Sequence, residues 1–224
     1  AVHQFFFHTA QTIEVFAFGA GTIGGTMIDQ IRDQHDKLLT ENIDIKVMAI
    51  TTIDGMLLKE EGIDLSNWRD QMKKPDFAFG PQNVDDIIKF VKDKKPLNPV
   101  FVDCTASYDL PERYLDILNA GMSIATPNKR ANSMDINFYK ELRRTANKMH
   151  RRFLYETNVG AGLPIIDTLQ NLYKSGDKLE SFNGIMSGSL SYIFGKLDEG
   201  IPFSKAVLEA KELRYTDPDP RDDL

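Results

Sequence analysis

The sequence predicts an α/β fold built on a doubly wound, parallel sheet of the Rossmann type, and three observations support this prediction. Apolar, β-prone runs alternate with amphipathic helical segments over residues 12–155, which is typical of βαβ units. A glycine-rich turn joins the first of these strands to the first helix. The chain has 224 residues and is 42% hydrophobic, so it can bury a substantial core.

Charge and cysteine content narrow the class of protein. The net charge of −6 argues against nucleic acid or an anionic membrane as a partner, because both bind basic patches. No apolar run approaches the roughly 18 residues of a membrane span, and the first residues lack the basic region of a secretory signal. Cys104 is the one cysteine, which excludes an internal disulfide and fits a reducing compartment. We therefore expect a soluble, cytoplasmic protein.

The first strand begins at Thr12 and runs into a turn with the pattern G-x-G-x-x-G, followed by a helix. This strand–turn–helix context is the one that a dinucleotide fingerprint requires. The first glycine permits the tight turn, the second lets a pyrophosphate approach the backbone, and the third lets helix and strand pack closely. The alternative is a glycine turn in an α/β fold without a ligand. The predicted cofactor-binding residues of the turn are Gly19, Ala20, Gly21, Thr22, Ile23 and Gly24.

The second strand, residues 43–50, bears on the choice between NAD and NADP. In an NAD-specific site an acidic residue at the end of this strand holds the ribose hydroxyls. Here the strand ends in Thr51 and Thr52, and the first acidic residue, Asp54, lies beyond it. No arginine stands next to this position to bind a 2′-phosphate. The pattern favours NADP and leaves both cofactors open.

The remaining elements continue the alternation up to residue 155. Residues 55–82 are interpreted as an irregular connection. Beyond them the sequence predicts helices at 84–91, 111–118 and 135–149, and strands at 100–104, 123–126 and 151–155.

Two loops follow the carboxyl ends of predicted strands, where open α/β sheets bind ligands. Thr105 closes the strand at 100–104, and Lys129 follows the strand at 123–126. A lysine there can act as a catalytic or phosphate-binding cation. On the sequence pattern alone, a surface lysine is the favoured interpretation of Lys129.

A second glycine-rich turn at residues 156–164 marks the predicted crossing into another domain. The sequence predicts a helix at 165–173, a strand at 178–186 and a helix at 204–213 beyond it. The predicted organisation is therefore a linker remnant at 1–11, a nucleotide-binding domain at 12–155, and a partial second domain at 156–224.

Six blocks occur in a fixed order along almost the whole chain, and together they resemble homoserine dehydrogenase. The resemblance is closest to the dehydrogenase part of bifunctional aspartokinase/homoserine dehydrogenases. Six ordered blocks are far more specific than one glycine motif. The blocks comprise residues 13–25, 102–107, 126–129, 155–164, 188–200 and 218–224.

The resemblance implies a fold, a reaction and a set of partners. The second domain is implied to be an α+β domain for substrate binding and dimerisation. The implied reaction interconverts L-homoserine and L-aspartate 4-semialdehyde with NAD or NADP, in threonine and methionine biosynthesis. The implied partners are a second copy of the chain, which the predicted strand at 178–186 would contact, and an upstream aspartokinase domain.

The resemblance also implies roles for particular residues. The glycine turn and Thr105 would contact the cofactor, and Lys129 would lie beside the nicotinamide and the reacting oxygen. Asp217 and Asp223 would bind the substrate, whose ammonium group requires a carboxylate. The family also binds a monovalent cation, usually sodium, through main-chain oxygens. Carried over to this chain, these oxygens belong to Glu156, Val159, Ala161 and Leu163; a hinge formed by the glycines is the alternative.

Three departures from the family pattern affect these expectations. Arg214 stands where the family usually has glycine, and Asp217 replaces a glutamate that is one methylene longer. The family's remaining catalytic residues lie beyond Leu224. We therefore expect the 224-residue chain to bind cofactor with little or no turnover. The alternative is a non-catalytic dinucleotide-binding or assembly module.

Other catalytic patterns in the sequence are weaker. Tyr192 and Lys196 match the Y-x-x-x-K pair of short-chain dehydrogenases, but Leu179 occupies the position of their serine, so a packing tyrosine is favoured. Cys104 ends an apolar strand, which favours a buried structural cysteine over a nucleophile. The acidic run at 217–223 lacks the glycine and terminal glutamate of a calcium loop. The four histidines show no metal-ligand spacing.

Overall fold

The computed structural model describes residues 10–78, 80, 82–217 and 219–223. The chain divides into an N-terminal unit, Ala1–Leu154, and a C-terminal unit, Tyr155–Leu224. The predicted linker remnant falls largely outside the described residues, and its last residue, Gln11, already belongs to the first strand.

The N-terminal unit contains one sheet of seven described strands in the order β4-β3-β2-β1-β5-β6-β7. The strands β2, β1, β5, β6 and β7 run parallel, as predicted. Their bounds are β1 Gln11–Phe18, β2 Ile43–Thr51, β3 Gly55–Leu58, β4 Phe77–Ala78, β5 Pro99–Asp103, β6 Ser123–Ala125 and β7 Phe153–Leu154.

The prediction of an irregular connection at 55–82 is wrong, because β3 and β4 extend the sheet there in antiparallel orientation. Three residues separate β2 from β3, and so short a loop can only return the chain as a hairpin. At Gly55 a Cβ would overlap the carbonyl oxygen of Phe77 and the ring of Pro75, so only glycine admits the next strand so closely. The sheet is therefore mixed at this edge.

Helices cover both faces of the sheet, which makes the fold doubly wound as predicted. Alternate residues of β1 point to opposite faces: Phe16 and Phe18 join one buried cluster, and Val15 and Ala17 join the other. The helices of this unit are α1 Thr22–Thr40, α2 Trp68–Gln71, α3 Gln82–Lys94, α4 Tyr114–Asn119, α5 Arg130–Ser133 and α6 Ile136–Lys148.

The two faces differ in which helices cover them. The cluster around Phe16 and Phe101 takes in residues of α3, α4 and α6. The cluster around Val15 takes in Ile28 of α1 and Trp68 of α2. A fully buried apolar side chain such as Ile28 contributes about 1.5–3 kcal/mol, so both faces anchor the elements whose ends carry the candidate site.

The C-terminal unit contains the helices α7 Ile166–Lys174, α8 Gly188–Asp198 and α9 Phe203–Glu212. Ile193, Ala206 and Ala210 form its small buried cluster. The prediction of a strand at 178–186 is wrong, because the described residues of this unit contain no strand and residues 177–186 are exposed. A strand needs a neighbour to pair its backbone N–H and C=O groups, and the part of this unit that the structure describes forms no sheet.

Helix length and composition also bear on the membrane prediction. Across the described residues, no helix combines the length and the apolar character that a membrane crossing requires.

Candidate active site

The strands β1, β5 and β6 are parallel neighbours, so the loops that follow them leave the sheet at the same edge. Phe18 at the end of β1 is paired with Asp103 at the end of β5, and Val102 is paired with Ala125 at the end of β6. The glycine turn, the Thr105 loop and the Lys129 loop therefore all begin at this edge, where open α/β sheets bind ligands.

The three glycines of the turn have different roles in the fold. Gly19 has φ +86°, and a Cβ there would lie 2.8 Å from the carbonyl group of Cys104 and from Cγ2 of Thr105. A Cβ on Gly24 would overlap the carbonyl oxygen of Gly19, so α1 packs directly on the turn. Around Gly21 there is nothing within 4 Å of the Cβ position. The fold thus needs Gly19 and Gly24, whereas the space beside Gly21 is open and would admit a side chain.

The first turn of α1 begins beside this open space. Gly21 is the N-cap residue, and no side chain caps the helix there. Thr22 and Ile23 are exposed, Ala20 is half-buried, and the amide of Gly25 donates to the carbonyl of Gly21 at 2.8 Å. The leading amides of a helix have no partner within the helix and lie at its positive end, so this terminus favours a phosphate.

The end of β2 lies next to the turn, because the amide of Gly19 donates to the carbonyl of Thr51 at 2.9 Å. Thr51 is 1% exposed, and its buried hydroxyl has no hydrogen-bond partner within the described part of the chain. The next hydroxyl, that of Thr52, accepts a bond from the amide of exposed Asp54 at 3.2 Å. The main chain of Thr51 thus joins the end of β2 to the glycine turn, while its buried hydroxyl is an exception to the usual pairing of buried polar groups.

Asp103, at the end of β5, is the centre of a buried network that the sequence analysis did not identify. Its Oδ1 accepts bonds from the amide and hydroxyl of Thr105, at 2.8 and 2.6 Å. Its Oδ2 accepts bonds from the hydroxyl of Tyr114 at 2.6 Å and from Nδ2 of Asn128 at 3.2 Å. Burial raises the pKa of this carboxyl, and the hydrogen bonds partly offset that rise. A carboxylate ending a buried strand was the signal available in the sequence.

The network ties the loop after β5 to the loop after β6. The hydroxyl of Thr126 donates to the carbonyl of Asp103 at 2.9 Å. The side chain of Asn128 also donates to the carbonyl of Ser107 at 3.0 Å. Side chains of the loop after β6 therefore bond to Asp103 and to the backbone of the loop after β5.

Lys129 follows directly after buried Asn128 and is itself exposed. It is the N-cap residue of α5, and its carbonyl accepts a bond from the amide of Asn132 at 3.1 Å. The neighbouring amide of Arg130 donates to Oδ1 of Asn128 at 3.0 Å. Lys129 thus lies at the start of α5, where the side chain of Asn128 holds the backbone. It is at the same sheet edge as the glycine turn.

The four residues predicted to bind a cation lie together in one turn of the C-terminal unit. Val159 is half-buried, and Ala161 and Leu163 are exposed. The carbonyl of Leu163 accepts a bond from the amide of Ile165 at 2.9 Å. Ala161 has φ +51°. Among the described residues no group of three or more His, Cys, Asp and Glu could hold a metal, so a cation here depends on main-chain oxygens.

Glu156 has a second function in that turn. Its two carboxylate oxygens accept bonds from the amides of Ile166 and Asp167, each at 2.8 Å. These are the first two residues of α7. The side chain therefore caps this helix, which leaves the main-chain oxygen as the group available to a cation.

The two predicted substrate-binding residues are brought together in the C-terminal unit. Oδ2 of Asp223 accepts a bond from the amide of Asp217 at 2.6 Å. Asp219, between them, instead pairs with Arg221, which lowers the pKa of its carboxyl to about 2. Arg214, just before this segment, has φ +60°, a conformation that favours glycine.

The weaker patterns of the sequence have structural explanations. The hydroxyl of Tyr192 donates to Glu209 at 2.7 Å, and this bond raises the pKa of the tyrosine. Lys196 instead pairs with Glu199 at 2.9 Å. The two side chains of the Y-x-x-x-K pattern thus bond to different carboxylates, which supports the packing interpretation.

Cys104 is half-buried beside the glycine turn. Burial, together with the charge of Asp103, raises the pKa of its thiol to about 11. A thiol that stays protonated at neutral pH is a poor nucleophile, as the structural interpretation of this cysteine requires.

Two protein families match the chain and together cover most of it. Residues 19–156 match the family described as "Homoserine dehydrogenase, NAD binding domain", and residues 164–224 match the family described as "Homoserine dehydrogenase". These matches confirm the resemblance seen in the six sequence blocks.

Individual proteins agree with this assignment. The whole chain is 44% identical to a bifunctional aspartokinase/homoserine dehydrogenase of Haemophilus influenzae, and spans 27% of its length. It is 35% identical to the homoserine dehydrogenase of Schizosaccharomyces pombe, over 95% of this chain and 57% of that one. A hyperthermophilic archaeal homoserine dehydrogenase in complex with NADPH, 26% identical, aligns with a TM-score of 0.74 over 94% of this chain and 64% of its own. The chain belongs to the homoserine dehydrogenase family.

Proposed function

We propose that the protein containing this chain interconverts L-homoserine and L-aspartate 4-semialdehyde with NAD or NADP. One observation carries the proposal: the glycine turn, with open space beside Gly21 and the uncapped start of α1, follows β1 at the same sheet edge as the loops of Thr105 and Lys129. The family match and the NADPH complex of the archaeal relative support the same cofactor class.

The residues at this edge have distinct proposed roles. The amides of Gly21 to Gly24 hold the cofactor's diphosphate, and Thr105 contacts the cofactor beside Gly19. When bound, the nicotinamide supplies or accepts the hydride. Lys129 donates a proton to the reacting oxygen during reduction of the aldehyde and accepts it during oxidation of the alcohol. Asp103 keeps the backbones of both loops in place through Thr105 and Asn128.

In the C-terminal unit, the carboxylates of Asp217 and Asp223 are proposed to bind the ammonium group of homoserine. The hydrogen bond from the main-chain amide of Asp217 to the carboxylate of Asp223 brings the two residues together and supports this assignment. A sodium ion is proposed at the main-chain oxygens of the turn that Glu156 begins. The oxygens in question belong to Glu156, Val159, Ala161 and Leu163.

Further assignments concern the whole protein. An aspartokinase domain on the same native chain is proposed, because the relatives that match over the full chain carry both activities in their names. A homo-oligomer, a role in threonine and methionine biosynthesis, and a cytoplasmic location are proposed with it.

NADPH binding to the full 224-residue chain tests the cofactor assignment. Gly21→Val should weaken NADPH binding at least tenfold and change the melting temperature little, because its side chain enters open space where the diphosphate is proposed to lie. Gly24→Val is the matched control, since its side chain meets backbone and should destabilise the fold itself. Equal NADPH affinity in the parent and the Gly21→Val variant would contradict the assignment.

The activity assay uses a protein that contains this chain and spans the length of a curated relative, of which this chain covers 27%. In such a protein Lys129→Ala should lower kcat by about 10²- to 10⁴-fold, the usual contribution of general acid–base catalysis, while NADPH affinity changes little. Homoserine should alter NADPH binding if the protein is an enzyme. If homoserine has no effect and no turnover occurs, the protein is a nucleotide-binding or assembly module.

A further inference from the structure

A row of cations runs along the exposed side of α6. Residues 140–152 contain six Lys or Arg and one Glu, a net charge of +5 in a chain whose net charge is −6. The rest of the chain therefore carries a net charge of −11. Lys140, Arg144 and Lys148 are exposed and follow one another at intervals of four residues, opposite the buried side of the helix. These three residues are called the basic stripe.

The stability of the helix does not explain the basic stripe. Like charges four residues apart repel one another on a helix, so the stripe weakens α6. The negative end of the helix dipole favours cations in the last turn, which accounts for Lys148 alone. Within the described ranges of the chain, no member of the stripe forms an ion pair. Arg143 differs, because it donates to the carbonyl of Tyr139 at 3.2 Å and to Oδ1 of Asn132 at 3.0 Å.

The neighbouring helices on the same face carry an excess of acidic side chains. Arg113 donates to Asp85 at 2.5 Å and to Asp116 at 2.8 Å, and so ties α3 to α4. Arg113 and Lys89 offset only part of the negative charge there. The set called the acidic patch, of which all members but half-buried Asp86 are exposed, comprises Asp85, Asp86, Asp109, Glu112 and Asp116.

The stripe and the patch lie at two sides of one surface. The helices α3, α4 and α6 all contribute to the buried cluster around Phe16 and Phe101, so they cover the same face of the sheet. Because α4 is bonded to α3 and packs against α6, it lies between them. A surface with opposite charges at its two sides is complementary to itself. Rotation about a two-fold axis between the two sides brings the stripe of one copy onto the patch of a second copy.

We propose that the face formed by α3, α4 and α6 docks a second copy of this chain, with the basic stripe of each copy against the acidic patch of the other. Charge complementarity carries the inference, since both halves of the contact are present on one surface. Contacts between exposed charges mainly orient the partners and are screened by salt, so the association should be weak and salt-dependent. The inference needs no cofactor and lies apart from residues 178–186, which the resemblance implies for dimerisation.

Sedimentation of the full 224-residue chain tests this surface without a variant. Raising the salt concentration from about 0.01 M to about 1 M shortens the screening length from about 30 Å to about 3 Å. The dissociation constant for self-association should rise by about tenfold or more over this range. A chain that is monomeric at low salt would overturn the inference. An oligomer that is equally tight at both salt concentrations would also overturn it, while agreeing with the proposed homo-oligomer.

Charge reversal on each side gives a sharper test. Lys140→Glu with Arg144→Glu reverses the stripe, and Asp109→Lys with Glu112→Lys reverses the patch. Each double variant alone should raise the dissociation constant by about tenfold or more at low salt, because both contacts of the two-fold pair become repulsive. An equimolar mixture of the two variants should recover the association, since every stripe then faces a patch of opposite charge. A mixture that does not associate would show that the inference is wrong.

Lys37→Glu with Lys74→Glu is the matched control. It changes the net charge by the same amount as the reversed stripe, but on exposed side chains of α1 and of the segment after α2, and these two helices cover the other face of the sheet. This control should self-associate like the parent chain. If it weakens the association as much as the reversed stripe does, net charge governs self-association and the inference is wrong. Melting temperatures near that of the parent confirm that the variants fold, and the salt series decides the question if a variant does not.

Discussion

The two units of the chain organise their candidate residues in different ways. In the N-terminal unit, one carboxylate that is 0% exposed, Asp103, connects two loops through four hydrogen-bond donors. In the C-terminal unit, Glu156, Asp217 and Asp223 lie on turns and make bonds within about ten residues along the chain. The buried clusters differ accordingly, since the C-terminal cluster has three buried residues.

This difference indicates where the protein is rigid before a ligand binds. A buried, satisfied network in a low-dielectric environment holds its members in one arrangement, and losing one member leaves the others unpaired. Local bonds on half-buried turns lie closer to water, which can replace them. We therefore expect substitutions in the N-terminal unit to affect the whole fold, and those in the C-terminal unit to act locally.

The largest expected effect is that of Asp103→Ala. The substitution leaves the hydroxyl of Tyr114 and the side chain of Asn128 without their shared acceptor, and should lower the free energy of unfolding by about 3–5 kcal/mol. Denaturant unfolding measures this loss. Asp219→Ala is the control, because it removes a carboxylate from an exposed pair and should leave stability nearly unchanged. If Asp103→Ala lowered the free energy of unfolding by less than about 1 kcal/mol, the buried network of the N-terminal unit would be no more important than the local bonds of the C-terminal unit.

The next largest effect is the pH dependence of stability and of thiol reactivity at Cys104. Because the pKa of its thiol is about 11 in the folded chain against an ordinary 9.0, the folded state favours the protonated form. The resulting stability is fully present below pH 9 and is lost as the pH rises through 11. Alkylation of Cys104 by iodoacetamide at pH 8 should be about 100-fold slower in the folded than in the unfolded chain. Equal rates in the two states would show that the site does not protect the thiol.

Glu156→Ala tests whether a substitution in the C-terminal unit has only local effects. It removes two bonds to the first amides of α7, which should cost about 1–2 kcal/mol, as for other helix caps. Amide hydrogen exchange should quicken in α7 and stay unchanged in the sheet of the N-terminal unit. Faster exchange in both units would contradict the view that this turn acts locally. Asp167→Ala is the control, because it alters the same turn and keeps the capping carboxylate.

The smallest effect is a gain in stability from Arg214→Gly. Arg214 has φ +60° at the end of α9, a conformation that costs a residue with a Cβ about 1–2 kcal/mol. Glycine also loses more freedom on folding, so the net gain should be about 0.5–1 kcal/mol, measured as a rise in melting temperature. Arg214→Ala is the control and should show no such gain, since it keeps the Cβ. A fall in stability with glycine would mean that the arginine side chain contributes contacts that outweigh the strain.

Elements with strong local signals could be predicted from the sequence. The helical repeat of apolar residues predicts α1, α3 and α6, and continuous apolar runs predict β1, β2 and β5. Both patterns are visible in consecutive residues, because they reflect which faces of an element are buried. The short strands β3 and β4 have no such signal. They form because a hairpin and Gly55 bring them to an existing sheet edge.

The same division applies to the candidate site. The glycine turn is local, so its strand–turn–helix context is visible in the residues from Thr12 onward. The acceptor role of Asp103 depends on Tyr114 and on Asn128, 25 residues away along the chain. The guanidinium group of Arg69 lies 3.6 Å from the Cβ position of Gly25, at the end of the glycine turn, and is held by Asp29, 40 residues away.

The amino-acid order was thus sufficient for the fold class, the dinucleotide turn and the family, since these depend on hydrophobic period, on glycine geometry and on ordered blocks of residues. Only the tertiary structure shows the mixed sheet edge, the buried carboxylate that joins two loops, and the arginine beside the glycine turn. These features depend on which distant residues meet. Contacts between residues that are distant in sequence depend on how the strands and helices pack, and no local sequence pattern specifies them.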